Sequence, residues 1–202
     1  GATGNHFLFD KVRGDNKYVN SNTTDQEYTE SGGMALGTNK FTLGNWGSVN
    51  NNSDTFASWN WLAGGSASSN SNGSITSTVS ANTTAGFSIV TYTGNATSGA
   101  TVGHGLGVAP DVIIVKNRAV TKEWNVYHSA NTSSPETDYL ILNETNATGD
   151  NSNRWNDTAP TSTVFSLGNG SETNDSNNMI AYCFAEKKRL FKIWKLHRKW
   201  KC

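Results

Sequence analysis

Charge is scarce in this chain of 202 residues: Asp, Glu, Lys and Arg together make up 16% of it, and proline occurs three times. Solubility therefore rests on neutral amides and hydroxyls. Cysteine occurs twice, Cys183 inside an apolar run and Cys202 as the last residue. Without a Cys-x-x-Cys pair or a spaced set, this excludes a disulfide framework as the source of the fold. No apolar run approaches the roughly 20 residues of a membrane-spanning helix, so membrane insertion is not expected. The opening GATGNHFLFD lacks the basic start and long apolar core of a signal peptide. It also lacks an initiator Met, so the chain reads as a piece of something longer. Before residue 186 no segment sustains a helical period of 3.6 residues.

What is present points to a folded β protein. Seven Trp, six Tyr and eight Phe supply apolar anchors that a disordered polar chain would lack. They fall in short runs: FLF at 7–9, FTLG at 41–44, FASWNWLA at 56–63, FSIVTYT at 87–93, DVIIVK at 111–116, WNVYH at 124–128, YLIL at 139–142, VFSLG at 164–168 and MIAYCFA at 179–185. Aromatic and β-branched residues dominate them, and Gly, Asn, Asp, Ser or Pro bound them. The pattern predicts an all-β fold, a β-sandwich of jelly-roll or concanavalin-like type.

Two blocks repeat at a fixed offset. Phe41, Leu43, Gly44, Asn45, Asn50 and Ala57 align without a gap on Phe165, Leu167, Gly168, Asn169, Asn174 and Ala181. Upstream, Asn22 and Thr24 align on Asn146 and Thr148 at the same spacing. A fixed offset is the mark of an internal repeat. The expected organisation is a partial β repeat unit over 1–63, a Gly/Ser/Asn/Thr-rich linker over 64–85 and the main sandwich unit over 86–187.

The end of the chain differs from everything before it. Eight of the sixteen basic residues lie between Lys187 and Lys201, and without Glu186–Cys202 the body carries a net charge of −7. Such a body is a poor match for nucleic-acid phosphates, so no nucleic-acid partner is expected. The tail reads as an amphipathic basic helix, or as a translation of the wrong frame. One base later, with suitable synonymous codons, Lys188–Cys202 becomes NGYSKFGSYTGNGN, the opening of another unit like GFSIVTYTGN at 86–95. Trp194 and Trp200 have a single codon, and both convert to the required glycines. Residues 188–202 are therefore expected to be an out-of-frame basic tail.

Chemistry-bearing motifs are few. In TVGHGLGVAPDVIIVKNR the glycines around His104 have the wrong spacing for a dinucleotide fingerprint and no phosphate-loop Lys. The stretch predicts a turn that delivers Leu106 to the core, with Pro110 opening a buried strand. His6, His104, His128 and His197 show no zinc spacing, and the Asn/Asp runs near Asp150 and Asp175 lack the Gly and closing Glu of a calcium loop. No metal and no cofactor are expected. Trp124 and Trp155, with Trp46 and Trp59 behind them, are candidate sugar platforms against the plainer role of core packing. Trp124, Trp155 and His104 are the candidate ligand-binding residues. No triad or paired-carboxylate pattern exists, so no enzymatic activity is expected.

Several stretches taken together resemble a known family. They are FDKVRGDNKYVNSNTT, FTLGN, WNWLAGG, SNSNGSITSTVSANTTAGFSIVTYTGN, HGLGVAPDVIIVKNR, WNVYH and IAYCFAEK. They are similar to a repeated β domain of bacteriophage tail-fibre-like and appendage proteins of marine-phage type, and the likeness covers residues 5 to about 187. The resemblance implies a non-enzymatic structural or host-surface-binding module, located in the virion or outside the cell. Its implied partners are other virion proteins, further copies of itself and a host-surface glycan. It assigns no catalytic residue. The alternative is a carbohydrate-binding β-sandwich domain of a secreted bacterial adhesin or polysaccharide-active protein.

Overall fold

The computed structural model describes residues 4–187, so the basic tail at 188–202 lies outside the described residues. The chain opens with β1 (Phe7–Phe9), β2 (Lys17–Asn20) and β3 (Tyr28–Thr29), then β4 (Met34–Leu36) and β5 (Phe41–Leu43), and a single helical turn, α1 (Gly47–Asn50). After an extended stretch come β6 (Ser68–Asn70), β7 (Ser77–Asn82), β8 (Phe87–Thr93), β9 (Ala100–Gly103), β10 (Val112–Asn117), β11 (Asn125–His128), β12 (Asp138–Ile141) and β13 (Gly149–Asp150). The turn α2 (Ser152–Trp155), β14 (Val164–Leu167), the turn α3 (Ser171–Asn174) and β15 (Asn178–Phe184) complete it. Every helix among the described residues is four residues long. The protein is all-β and sandwich-like.

An eight-stranded antiparallel sheet, ordered β13-β12-β11-β10-β15-β8-β7-β6, forms the centre. Its middle strand is β15, paired with β8 from Asn178↔Thr93 to Phe184↔Phe87 and with β10 from Val112↔Phe184 to Asn117↔Met179. Side chains of a strand alternate between faces, so β15 serves two cores. Met179, Ala181 and Cys183 face inward with Val90, Tyr92, Ile113 and Val115. There the antiparallel pair β9–β14 and the turn α2 cover them through Val102, Phe165, Leu167 and Trp155. Ile180 and Tyr182 face the other way with Phe87, Ile89 and Trp124, against Leu8, Val12 and Val19 of the N-terminal block.

Residues 4–63 and 86–187 therefore share a core, and the N-terminal block is a layer on the outer face of the large sheet. A buried ionic network fastens it there. Arg13 bonds Asp10 through Nε and reaches Glu27 through Nη1 at 3.3 Å. Glu27 receives both Nε and Nη2 of Arg118 at 2.9 and 2.8 Å. The Tyr182 hydroxyl donates to Asp10 Oδ2 at 2.8 Å. On the same face the buried ammonium of Lys116 donates to the carbonyl of Thr24 at 3.1 Å.

The linker expected over 64–85 is corrected: β6 and β7 lie within it and extend the large sheet. Its buried serines are strand residues whose hydroxyls are satisfied. Ser77 Oγ donates to the carbonyl of Gly103 and Ser80 Oγ to that of Gly65, both at 2.8 Å, while Ile75 and Val79 enter the inner core. A composition rich in Gly and Ser hides this alternation.

The repeat has a hydrogen-bonded basis. Gly44 and Gly168 each end a strand where a neighbouring backbone leaves no room for a Cβ, Gly32 in the first copy and Ser152–Asn153 in the second. Four residues of helical turn follow at the same offset, α1 and α3. Asn50 Nδ2 donates to the carbonyl of Gly44, and Asn174 Nδ2 to that of Gly168, both at 2.7 Å. The copies differ in setting. Asn50 is exposed, whereas buried Asn174 also donates to the carbonyl of Thr97 and accepts from the backbone N–H of Asn95, each at 2.9 Å. Asn174→Ala strands three backbone partners, the carbonyl of Gly168 in a buried setting and the groups of Asn95 and Thr97 in part-buried ones, and is expected to lower stability by about 2 kcal/mol, against about 0.5 kcal/mol for Asn50→Ala. Urea unfolding of the two variants checks this; equal losses would mean that the bond counts for the same in both settings.

Candidate functional site

None of the three residues singled out from sequence meets solvent as a ligand platform. Trp124 is fully buried, its ring stacked on Tyr182 with centroids 6.5 Å apart and its Nε1 donating to the carbonyl of Asn20 at 2.8 Å. It is a packing residue between the N-terminal layer and the sheet. Trp155 ends α2 and packs edge-on against Tyr127 inside the inner core. The physical reason is common to both: an indole placed between layers buries more apolar area than any other side chain. The structure does not bring Trp124 and Trp155 together.

His104 is buried too. Its Nδ1 accepts the backbone N–H of Leu106 at 3.3 Å, and its Nε2 lies 3.2 Å from the carbonyl of Thr161, which fixes the tautomer as Nε2–H. The imidazole pins the glycine turn shut. Gly105, at φ +73°, lies against Val79 and Ala81, where a Cβ would come within 3.0 and 3.1 Å. Leu106 enters the inner core. Among the described residues no three His, Cys, Asp or Glu side chains converge as metal ligands.

The aromatics that do face solvent lie elsewhere. Phe56, Trp59, Trp61 and Leu62 are 52, 76, 61 and 73% exposed, along one extended stretch outside every sheet. Such a run is a contiguous apolar feature among the described residues, and clustered exposure of this kind marks interaction sites. It is anchored at its far end, where Ala63 packs on the outer core and Asn82 Nδ2 donates to the carbonyl of Leu62 at 3.2 Å. Trp61 meets the edge of the Phe184 ring at 6.3 Å. Between this stretch and the body lies an open cleft of about 2930 Å³, with Phe87, Ile89, Ile114, Tyr182 and Phe184 along the sheet side. Trp46 does not join the stretch: its ring packs against Phe7 and Tyr18 at 4.7 and 4.8 Å. Of the sequence candidates, Trp59 alone stands at the exposed site. The signal for it was the run FASWNWLA itself, which alternates like a strand yet has no partner.

A family model described as a domain of unknown function (DUF7483) matches residues 1–193. The chain belongs to that family. A single DUF7483 match thus spans the N-terminal layer and the large sheet, in keeping with their shared core. No curated protein and no solved structure matches the chain. Among the described residues of this DUF7483 domain no helix is long and apolar enough to cross a membrane.

Burial lowers the pKa of His104 below the ordinary 6.5, partly offset by the hydrogen bond to Thr161. The unfolded chain then takes up the proton first as pH falls. The stabilising contribution of the neutral imidazole is full above about pH 6.5 and is lost below it, down through the lowered folded value. Urea midpoints of the DUF7483 domain measured from pH 7.5 to 5 are expected to fall more steeply than those of His104→Gln. Parallel slopes would show that His104 does not titrate against folding.

Proposed function

We propose that the chain is a non-enzymatic module of a phage virion appendage of tail-fibre type, structural or host-surface-binding in role. The observation that carries this reading is the repeat. A strand, a glycine pressed on a neighbouring backbone and an Asn-closed turn recur at one offset with the same hydrogen bonds. Repeated β units suit elongated assemblies, in which each unit buries surface against the next. The likeness of IAYCFAEK, HGLGVAPDVIIVKNR and WNWLAGG to tail-fibre-like domains points the same way. So does a surface of amides and hydroxyls that leaves one aromatic stretch for contact.

A second reading rests on that same stretch. Trp59 and Trp61 offer exposed indole faces on which sugar rings stack, which favours a carbohydrate-binding module. Binding to a defined sugar on a glycan array, lost on Trp59→Ala, would support it.

The virion reading is tested on particles. Gradient-purified virions from the source community are expected to yield peptides of this chain by mass spectrometry, and antibodies raised to it are expected to label an appendage in electron micrographs. Its presence in infected cells but absence from purified particles would overturn the reading.

A further inference from the structure

The exposed aromatic stretch has a structural counterpart in the second copy, and the counterpart is β15. The turns α1 and α3 stand at equivalent positions. After α3 three residues, 175–177, lead to Asn178, where β15 begins; one extra residue in the loop after α1 sets Thr55 opposite Asn178. Allowing for that extra residue, Thr55 corresponds to Asn178, Trp59 to Tyr182 and Trp61 to Phe184. Aromatic residues thus recur at the same two alternate positions, which is the spacing a strand requires. The gapless alignment of Ala57 on Ala181 gives way to this one past the loop.

The two counterparts meet opposite fates. In the second copy β15 is an enclosed strand, hydrogen-bonded to β8 on one side and β10 on the other. In the first copy the equivalent residues 55–61 pair with no strand and leave Phe56, Trp59 and Trp61 in solvent. An extended segment with free backbone N–H and C=O groups and apolar side chains is a template for strand addition. The adjoining cleft of about 2930 Å³ exceeds the 300–1,000 Å³ typical of a small-molecule site and has room for polypeptide.

We propose that residues 55–61 are a docking strand, which pairs antiparallel with strands of β8 and β10 type from another protein carrying an incomplete copy of this repeat, one that has those two strands but no strand of β15 type between them. The partner's chemistry follows from what flanks β15: apolar, β-branched strands such as FSIVTYT and VIIVKN. A second copy of this chain is a poorer partner, because its own β8 and β10 are already closed on β15. A glycan would leave the backbone groups of 55–61 without strand partners. The inference holds whether or not the chain belongs to a virion.

Hydrogen exchange on the full chain tests it. The probes are synthetic peptides of residues 86–94 and 110–118, added together, with scrambled versions as controls. Amide exchange at 55–61 is expected to slow by about tenfold or more with the native peptides only, and tryptophan emission to shift to the blue. The variant Trp59→Ser should weaken the protection at 55–61 at a given peptide concentration while keeping the wild-type urea midpoint, since that side chain is 76% exposed. Unchanged exchange at peptide saturation overturns the proposal. So does protection that appears without peptide as protein concentration rises, which would make a second copy the occupant. Failure of the peptides to protect these amides leaves the virion assignment standing, and absence from virions leaves the docking strand standing.

Discussion

The arrangement of the whole molecule hangs on the buried cluster of Asp10, Arg13, Glu27, Arg118 and Tyr182. Ions taken out of water cost more than one partner returns, so such a cluster persists only when nearly every donor and acceptor is used. Here Arg13 also donates through Nη2 to the carbonyl of Leu8 at 2.8 Å, and Asp10 Oδ1 accepts the backbone N–H of Arg13 at 2.9 Å. Hydrophobic contact alone would let the N-terminal layer slide over the sheet, because apolar burial has no direction. Bidentate pairing of Arg118 with Glu27 and the Tyr182 bond to Asp10 are directional. They fix where Leu8, Val12 and Val19 land on the sheet, and hence where the stretch that follows can run.

The repeat shows how one motif serves two environments. Its strand, tight glycine and Asn-closed turn are local and form alike in both copies. What surrounds them decides their weight. In the second copy β14 lies against β9, and Asn174 becomes a buried junction of three chain segments. In the first copy β5 closes on β4, from Met34↔Leu43 to Leu36↔Phe41, and Asn50 stays at the surface.

Much of this was legible in the sequence because strands announce themselves by side-chain alternation. The runs at 7–9, 41–44, 87–93, 111–116, 164–168 and 179–185 coincide with β1, β5, β8, β10, β14 and β15. β7 escaped because its buried positions are filled partly by Ser77 and Ser80, whose hydroxyls find carbonyl partners only in the folded state, and β6 because Ser68–Asn70 has no buried position to betray it. Trp124, Trp155 and His104 are conspicuous as residue types, but burial is a property of layers. Nothing local tells that β1 and β2 would cover Trp124. Phe56–Leu62 shows the converse: its pattern promises a strand, and pairing, which is never a local property, is missing.

Lys116 sits where the N-terminal layer meets the sheet, and its burial pulls its pKa down to about 8 against the pull of Asp25. Its two acceptors, the carbonyls of Thr24 and Asn117, belong one to the layer and one to the sheet. An amine-reactive acylating reagent therefore finds this nitrogen shielded while the layer is seated and open when it lifts. The molecule carries its own chemical gauge of whether its two halves are together.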